Sequence, residues 1–158
     1  YNYTFLNFNN LSSICFFVFS NCGFKVVNLD TNFNITEIIT SGDKRINYKL
    51  KKKILGSSKE NSEDQVTVLI NSKKEKTVKE KNLSNQITKY EIRIIIDIEY
   101  KSLKIGEEGK FSLSKTGDYS VSTRFSDTLN NEKNLVNSLV NSLADEILEN
   151  LISNLNDL

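Results

Sequence analysis

The segment ITKYEIRIIIDIEYKSL, residues 87–103, alternates more strictly than any other part of the chain. Tyr90, Ile92, Ile94, Ile96, Ile98 and Tyr100 fall on one side of an extended backbone. Lys89, Glu91, Arg93, Asp97 and Glu99 fall on the other, and only Ile95 interrupts that polar side. A period of two over this length does not suit a helix, whose apolar positions recur every three or four residues. It demands a sheet with one buried face and one wet face.

Partners for this strand lie on both sides in sequence. QVTVLINS (65–72) puts Val66, Val68 and Ile70 on one face, and the polar stretch KKEKTVKEK extends it to a turn around Asn82–Asn85. Downstream, KIGEEGK (104–110) forms a turn, and FSLSKTGDYSVSTRF (111–125) forms a further strand with a bulge or bend expected at Thr116-Gly117-Asp118. Two consecutive hairpins make an antiparallel meander. Upstream, NITEIITSG (34–42) reads as a strand ended by its Ser-Gly pair.

Two helices supply the cover. Asp43 suits a helix start, because its carboxylate can accept the free first-turn amides. The helix is expected from about Lys44 to Leu55, with Ile46, Leu50 and Ile54 on one side and Gly56 ending it. From Glu132 to Leu155 the period becomes 3.6. Leu135, Leu139, Leu143, Ile147, Leu151 and Leu155 form one line, flanked by Val136, Val140, Leu148 and Ile152, with Asn130 or Asn131 as cap. At 1.5 Å per residue such a helix is about 36 Å long, enough to cross all the strands. The expected fold is α+β: a two-layer sandwich, with two helices on one face of a mostly antiparallel four-stranded sheet, in a single domain over residues 34–158.

Composition narrows the chemistry. The chain of 158 residues carries 21 basic and 20 acidic groups, so no global field argues for nucleic acid. It contains no His, which removes the commonest general base and the commonest zinc ligand. Cys15 and Cys22 are seven apart and make neither a metal site nor a disulfide framework. Asp97 and Glu99 share one strand face about 7 Å apart and have the look of a carboxylate dyad. Their alternation with Lys89, Arg93 and Lys101 is better explained by cross-strand ion pairing. The expectation is a protein that is not an enzyme and needs no cofactor. Basic residues cluster in KRINYKLKKK (44–53), which has six basic groups and no acid, whereas nothing after Lys133 is basic.

The start of the chain is uncharged as far as Lys25 and holds the hydrophobic run LSSICFFVFS (11–20). That run has the length of a signal-peptide core and falls short of the roughly 20 residues a membrane-spanning helix needs. FSNC (19–22) resembles a bacterial lipobox, with Phe19 and Asn21 where the usual pattern has Leu and a small residue. Cys15 fits less well, since Ile14 directly precedes it. Residues 1–21 are therefore expected to be a lipoprotein signal peptide, truncated at its N-terminus because residue 1 is Tyr and no basic n-region precedes the run. Cys22 is the expected lipidation site, and residues 22–33 the tether; acyl chains at roughly 0.8 kcal/mol per buried methylene hold such a terminus in a bilayer. Gly23 rather than Asp after the cysteine fits sorting to the outer membrane.

The order of these features resembles one family, the lipopolysaccharide-assembly lipoproteins called LptE. The resemblance rests on CGF at 22–24, the strand ending in TSGD, the block ITKYEIRIIIDIEY, the strand ending in STRFSDTLNN, and the long helix with LADEILENL. It covers residues 22–156. It implies an outer-membrane lipoprotein on the periplasmic side that plugs and helps assemble the β-barrel LptD and binds lipopolysaccharide. The family's basic contact residues correspond to Lys79 and Lys81 near the turn between the second and third strands, and to Lys133 before the last helix. An auxiliary lipoprotein of an ABC-type lipid transport system is the other reading of the same layout.

Overall fold

The computed structural model describes residues 33–57, 62–104 and 106–156. The expected signal peptide, Cys22 and most of the tether lie outside these residues. Six elements follow in order: β1 (Phe33–Gly42), α1 (Lys44–Gly56), β2 (Asp64–Lys81), β3 (Ile87–Ser102), β4 (Glu108–Ser120) and α2 (Phe125–Asn156). The sheet order is β1-β2-β3-β4. β1 runs parallel to β2, with α1 as the crossover between them, while β2–β3 and β3–β4 are antiparallel hairpins. This is the expected two-layer α+β sandwich with both helices on one face.

Local chemistry sets the corners. β1 begins one residue earlier than the isoleucine pattern indicated, at Phe33, whose ring is buried in the core. It ends at Gly42, where φ is +93°. The next residue starts α1 as expected: Asp43 accepts hydrogen bonds from the Arg45 and Ile46 amides at 2.9 and 3.1 Å. Its own amide donates to the Ser72 carbonyl at 3.1 Å, tying the helix start to the middle of β2. Asn47, one turn on, is buried and donates to the Ser41 carbonyl at 2.8 Å. In the turn after β2, the Asn82 side chain accepts the Ser84 and Gln86 amides, and Asn85 takes a left-handed φ of 62°.

The core lies between sheet and helices. Ile92, Ile94, Ile96 and Ile98 of β3, Val66, Val68 and Ile70 of β2, Ile46, Leu50 and Ile54 of α1, and Leu143, Ile147 and Leu151 of α2 are all buried. Burying such side chains at roughly 1.5–3 kcal/mol each is the main stabilising term. The opposite sheet face carries no helix. It presents Thr67, Leu69, Asn71, Arg93, Asp97, Glu99, Ser112 and Thr116 in cross-strand rows.

Three expectations need correction. The last helix begins at Phe125, not Glu132, so Asn130 and Asn131 are helix-interior residues rather than caps. Its first amides are met instead by the Arg124 carbonyl, which accepts from Asp127 and Thr128, while the Thr128 hydroxyl accepts the Ser122 amide. These extra turns reach past the core, with Phe125 and Leu129 exposed, so no burial period marks them. α2 also does not cross all the strands: it lies along β4 and against α1, while α1 covers β1 and β2. Finally, β4 ends at Ser120 and keeps its register through Thr116-Gly117-Asp118. The shifts fall in β1 at Ile35/Glu37 and in β2 at Val78/Glu80/Lys81. Gly117 is there for packing rather than for a bend, since a Cβ on it would meet the Leu135 side chain of α2 at 2.7 Å.

Candidate functional site: a cationic cleft at the helix ends

The sequence that starts α1 and the early turns of α2 meet over the middle of β2. Asp43, Arg45, Ile46 and Lys49 come from α1, Lys74 from β2, and Leu129, Glu132, Lys133 and Val136 from α2. They line a cleft of about 330 Å³. Ile46, Leu129 and Val136 form an apolar floor, and Arg45, Lys49, Lys74 and Lys133 give a mainly cationic rim. Its two acids already have partners. Asp43 caps α1, and Glu132 accepts from Lys76 at 2.8 Å, from the Tyr119 hydroxyl at 2.8 Å, and more distantly from Lys74 at 3.4 Å. Lys49 donates to the Asn137 side chain. Arg45 and Lys133 form no ion pair among the described residues. A cleft with an apolar floor and free cations suits an anionic amphiphile, because ammonium and guanidinium groups bond phosphate or carboxylate strongly.

Behind the cleft lies a cluster that sequence reading passed over. Even-numbered residues of β2 face the helices, so Lys74 and Lys76 continue the face of Val66, Val68 and Ile70 and end beneath α2. Lys76 sits 4.3 Å from the centre of the Tyr90 ring, and Tyr90 stacks on Tyr119 with centroids 5.7 Å apart. Burial opposes the Lys76 ammonium, but Glu132 and Tyr119 outweigh it and raise its pKa. Burial likewise opposes the Glu132 carboxylate, and the Lys76 and Tyr119 hydrogen bonds override it, so its pKa is lowered. Tyr119 is raised, first by burial. The available signal was the strict alternation of β2 carried on past Ser72 into lysines.

A depressed carboxylate contributes stability above its unfolded pKa and loses it as pH falls through the folded value. Glu132→Gln is therefore expected to cost about 1–2 kcal/mol at neutral pH. The gap between variant and parent should close as pH drops below the ordinary glutamate range. Urea unfolding midpoints from pH 7 to pH 3 measure this, and a constant gap would contradict it.

The three lysines singled out in the sequence do not come together. Lys133 is exposed on the rim of the cleft. Lys79 is on the other face of the sheet, paired with Asp118 at 2.8 Å and Glu91 at 3.8 Å, which raises its pKa, mainly through Asp118. Lys81 donates to the Asn85 side chain at 3.0 Å and stays with its own turn. Asp97 is held by neutral groups, accepting from the Ser112 hydroxyl at 2.7 Å and the Asn71 amide at 3.5 Å. Among the described residues no group of three or more Cys, Asp or Glu side chains is placed to hold a metal, and no helix is long and apolar enough to cross a membrane.

Solved structures of bacterial lipoproteins share this fold. The crystal structure of the rare lipoprotein B from Shewanella oneidensis superimposes with a TM-score of 0.59, over 77% of this chain and 97% of that one, at 16% identity. A putative lipoprotein from Caulobacter crescentus CB15 gives a TM-score of 0.52 over 76% and 90%, at 15% identity. What these two share with the chain is the fold. No protein-family model and no curated protein matches the sequence.

Proposed function

We propose that this chain is an outer-membrane lipoprotein of the LptE kind, anchored through Cys22 on the periplasmic side. In this reading it is an assembly partner and plug of an LptD-type β-barrel, binds lipopolysaccharide, and carries out no reaction. The observation that carries the proposal is the fold, held in common with two solved lipoproteins over most of their length. The open sheet face supports it, because a broad polar surface of mixed charge and hydroxyl groups suits the polar lumen of a wide barrel. Arg45 and Lys133 of the cleft offer cations to phosphate beside an apolar floor, which is the chemistry of a lipopolysaccharide headgroup and the start of its acyl chains. Lys133 belongs to this cleft, and Lys79 and Lys81 belong to the open face and the turn.

The test is isolation of the tagged full chain from Gram-negative membranes. The expected result is co-purification of a large outer-membrane barrel, with an N-terminal peptide whose mass carries acyl chains on Cys22. Cys22→Ser should release the protein from the membrane fraction. A chain that is unmodified and never associates with a barrel would sink the reading.

A further inference from the structure

We propose that the outward crest of α1 docks on the surface of an anionic phospholipid bilayer. The run KRINYKLKKK (44–53) lies in this helix and brings six basic groups and no acid, in a chain whose formal net charge is only +1. At about 3.6 residues per turn its side chains divide into an inner face, two flanks and a crest. Ile46, Asn47, Leu50 and Ile54 are the buried inner face. On one flank Lys49 and Lys53 turn to α2, meeting the Asn137 side chain and Asp145. On the other, Lys51 donates to the Ile38 carbonyl of β1 at 3.3 Å. Between these flanks Lys44, Arg45, Tyr48, Lys52 and Leu55 form the crest. All five are exposed, Tyr48 by 70%. Lys44, Arg45 and Lys52 form no ion pair among the described residues, while Asp145 and Glu146 of α2 are taken by Lys53 and Lys115.

Size, charge and composition select the occupant. A crest about 16 Å long and one helix wide is far smaller than the roughly 800 Å² a side of a stable protein interface. A bilayer asks for no shape complementarity. Unpaired ammonium and guanidinium groups attract lipid phosphates. The Tyr48 ring, with an apolar body and a polar tip, suits the headgroup zone, Leu55 enters beneath it, and the lysine stems let their charges reach headgroups. The chain path brings the crest toward the end where the upstream segment enters. β1 leads from Phe33 to Gly42, and α1, as the crossover to a parallel β2, returns toward the Phe33 end, so Lys52 and Leu55 are the part of the crest nearer to it. Docked this way, the sheet lies along the bilayer and its open face is turned to the aqueous side, where a protein partner can reach it. This contact rests on the anchoring proposed above only for the nearness of a membrane, and it belongs to the chain before a barrel receives it.

The test is a vesicle assay on the full chain carrying Cys22→Ser, so that neither acylation nor a barrel enters the result. The chain has no Trp, which makes Tyr48→Trp a unique reporter on the crest and Leu69→Trp one on the open face, both at exposed positions. With vesicles of equal parts phosphatidylglycerol and phosphatidylcholine, the emission of Tyr48→Trp should shift to the blue and be quenched by brominated acyl chains. With phosphatidylcholine alone it should do neither, and Leu69→Trp should do neither with either lipid. The hydrophobic run at 11–20 can hold the chain on both kinds of vesicle alike, so the readout is where each reporter sits. Lys44→Gln combined with Lys52→Gln should weaken the anionic response by about tenfold or more. Lys101→Gln combined with Lys110→Gln removes the same charge from the open face and should leave it within about twofold. An unquenched Tyr48→Trp, equal quenching of both reporters, an equal response to both lipids, or equal losses from the two lysine pairs would each overturn the proposal. So would loss of barrel co-purification in the Lys44→Gln, Lys52→Gln chain while Tyr48→Trp stays in water, which would assign the crest to an acidic protein surface instead.

Discussion

Gly42→Ala should destabilise the protein by about 4 kcal/mol, enough to unfold much of it at physiological temperature. Two costs add. The residue holds φ at +93°, a region that side chains with a Cβ enter at about 1–3 kcal/mol. A Cβ placed there would also sit 1.9 Å from the Ser72 carbonyl oxygen, 2.9 Å from its carbon and 3.0 Å from its nitrogen. Those are backbone atoms of β2 and cannot swing aside. The same carbonyl receives the Asp43 amide, so any shift that relieved the clash would pull on the start of α1. Gly106→Ala is the control. It has a similar φ of +73° but open space around it, so only the conformational cost of about 1–2 kcal/mol should appear. Chemical denaturation of the two variants separates the effects; equal losses would refute the steric account.

A second large effect separates two adjacent isoleucines. Ile96→Ala should cost about 3–4 kcal/mol, because its side chain is fully buried and the hole left behind cannot close. Ile95→Ala should cost less than about 1 kcal/mol, because Ile95 is on the open face, opposite Lys73 and Ser114, with no helix above it. Unfolding midpoints of the pair measure how one-sided the sheet is. A large loss at Ile95 would mean that something covers the face left open here.

That contrast also shows what the sequence made legible. Alternation in 87–103 carried two facts at once, the element and its buried face, because a strand's side chains can point only two ways. The leucine line from Leu135 to Leu155 did the same for most of α2. Asp43 and Gly42 were readable because capping and left-handed turns select few residue types. The start of α2 was not readable from burial, since Phe125 and Leu129 extend past the core and their exposure erases the period. The bend expected at Gly117 failed for a different reason. A strand glycine signals either a kink or a close approach, and only the position of Leu135 tells which. The cleft was invisible in the sequence because its walls come from three separated segments. Lys133 could be singled out, but its grouping with Arg45 and Lys74 depends on how far α1 and α2 lie apart. Lys79, which looked equivalent, is an odd-numbered residue of β2 and so falls on the open face beside Glu91 and Asp118.

The parallel pairing of β1 with β2 has a mechanical consequence. Phe33 and Asp64 stand side by side at one end of the sheet, and β2 then runs eighteen residues to the far turn. At 3.3–3.4 Å per residue, that is a lever arm of roughly 55–60 Å. A pull applied upstream of Phe33 therefore grips the molecule at its foot, and the fully exposed Leu83 swings at the opposite extremity. The cleft sits partway up that mast, so its height above Phe33 is set by strand length.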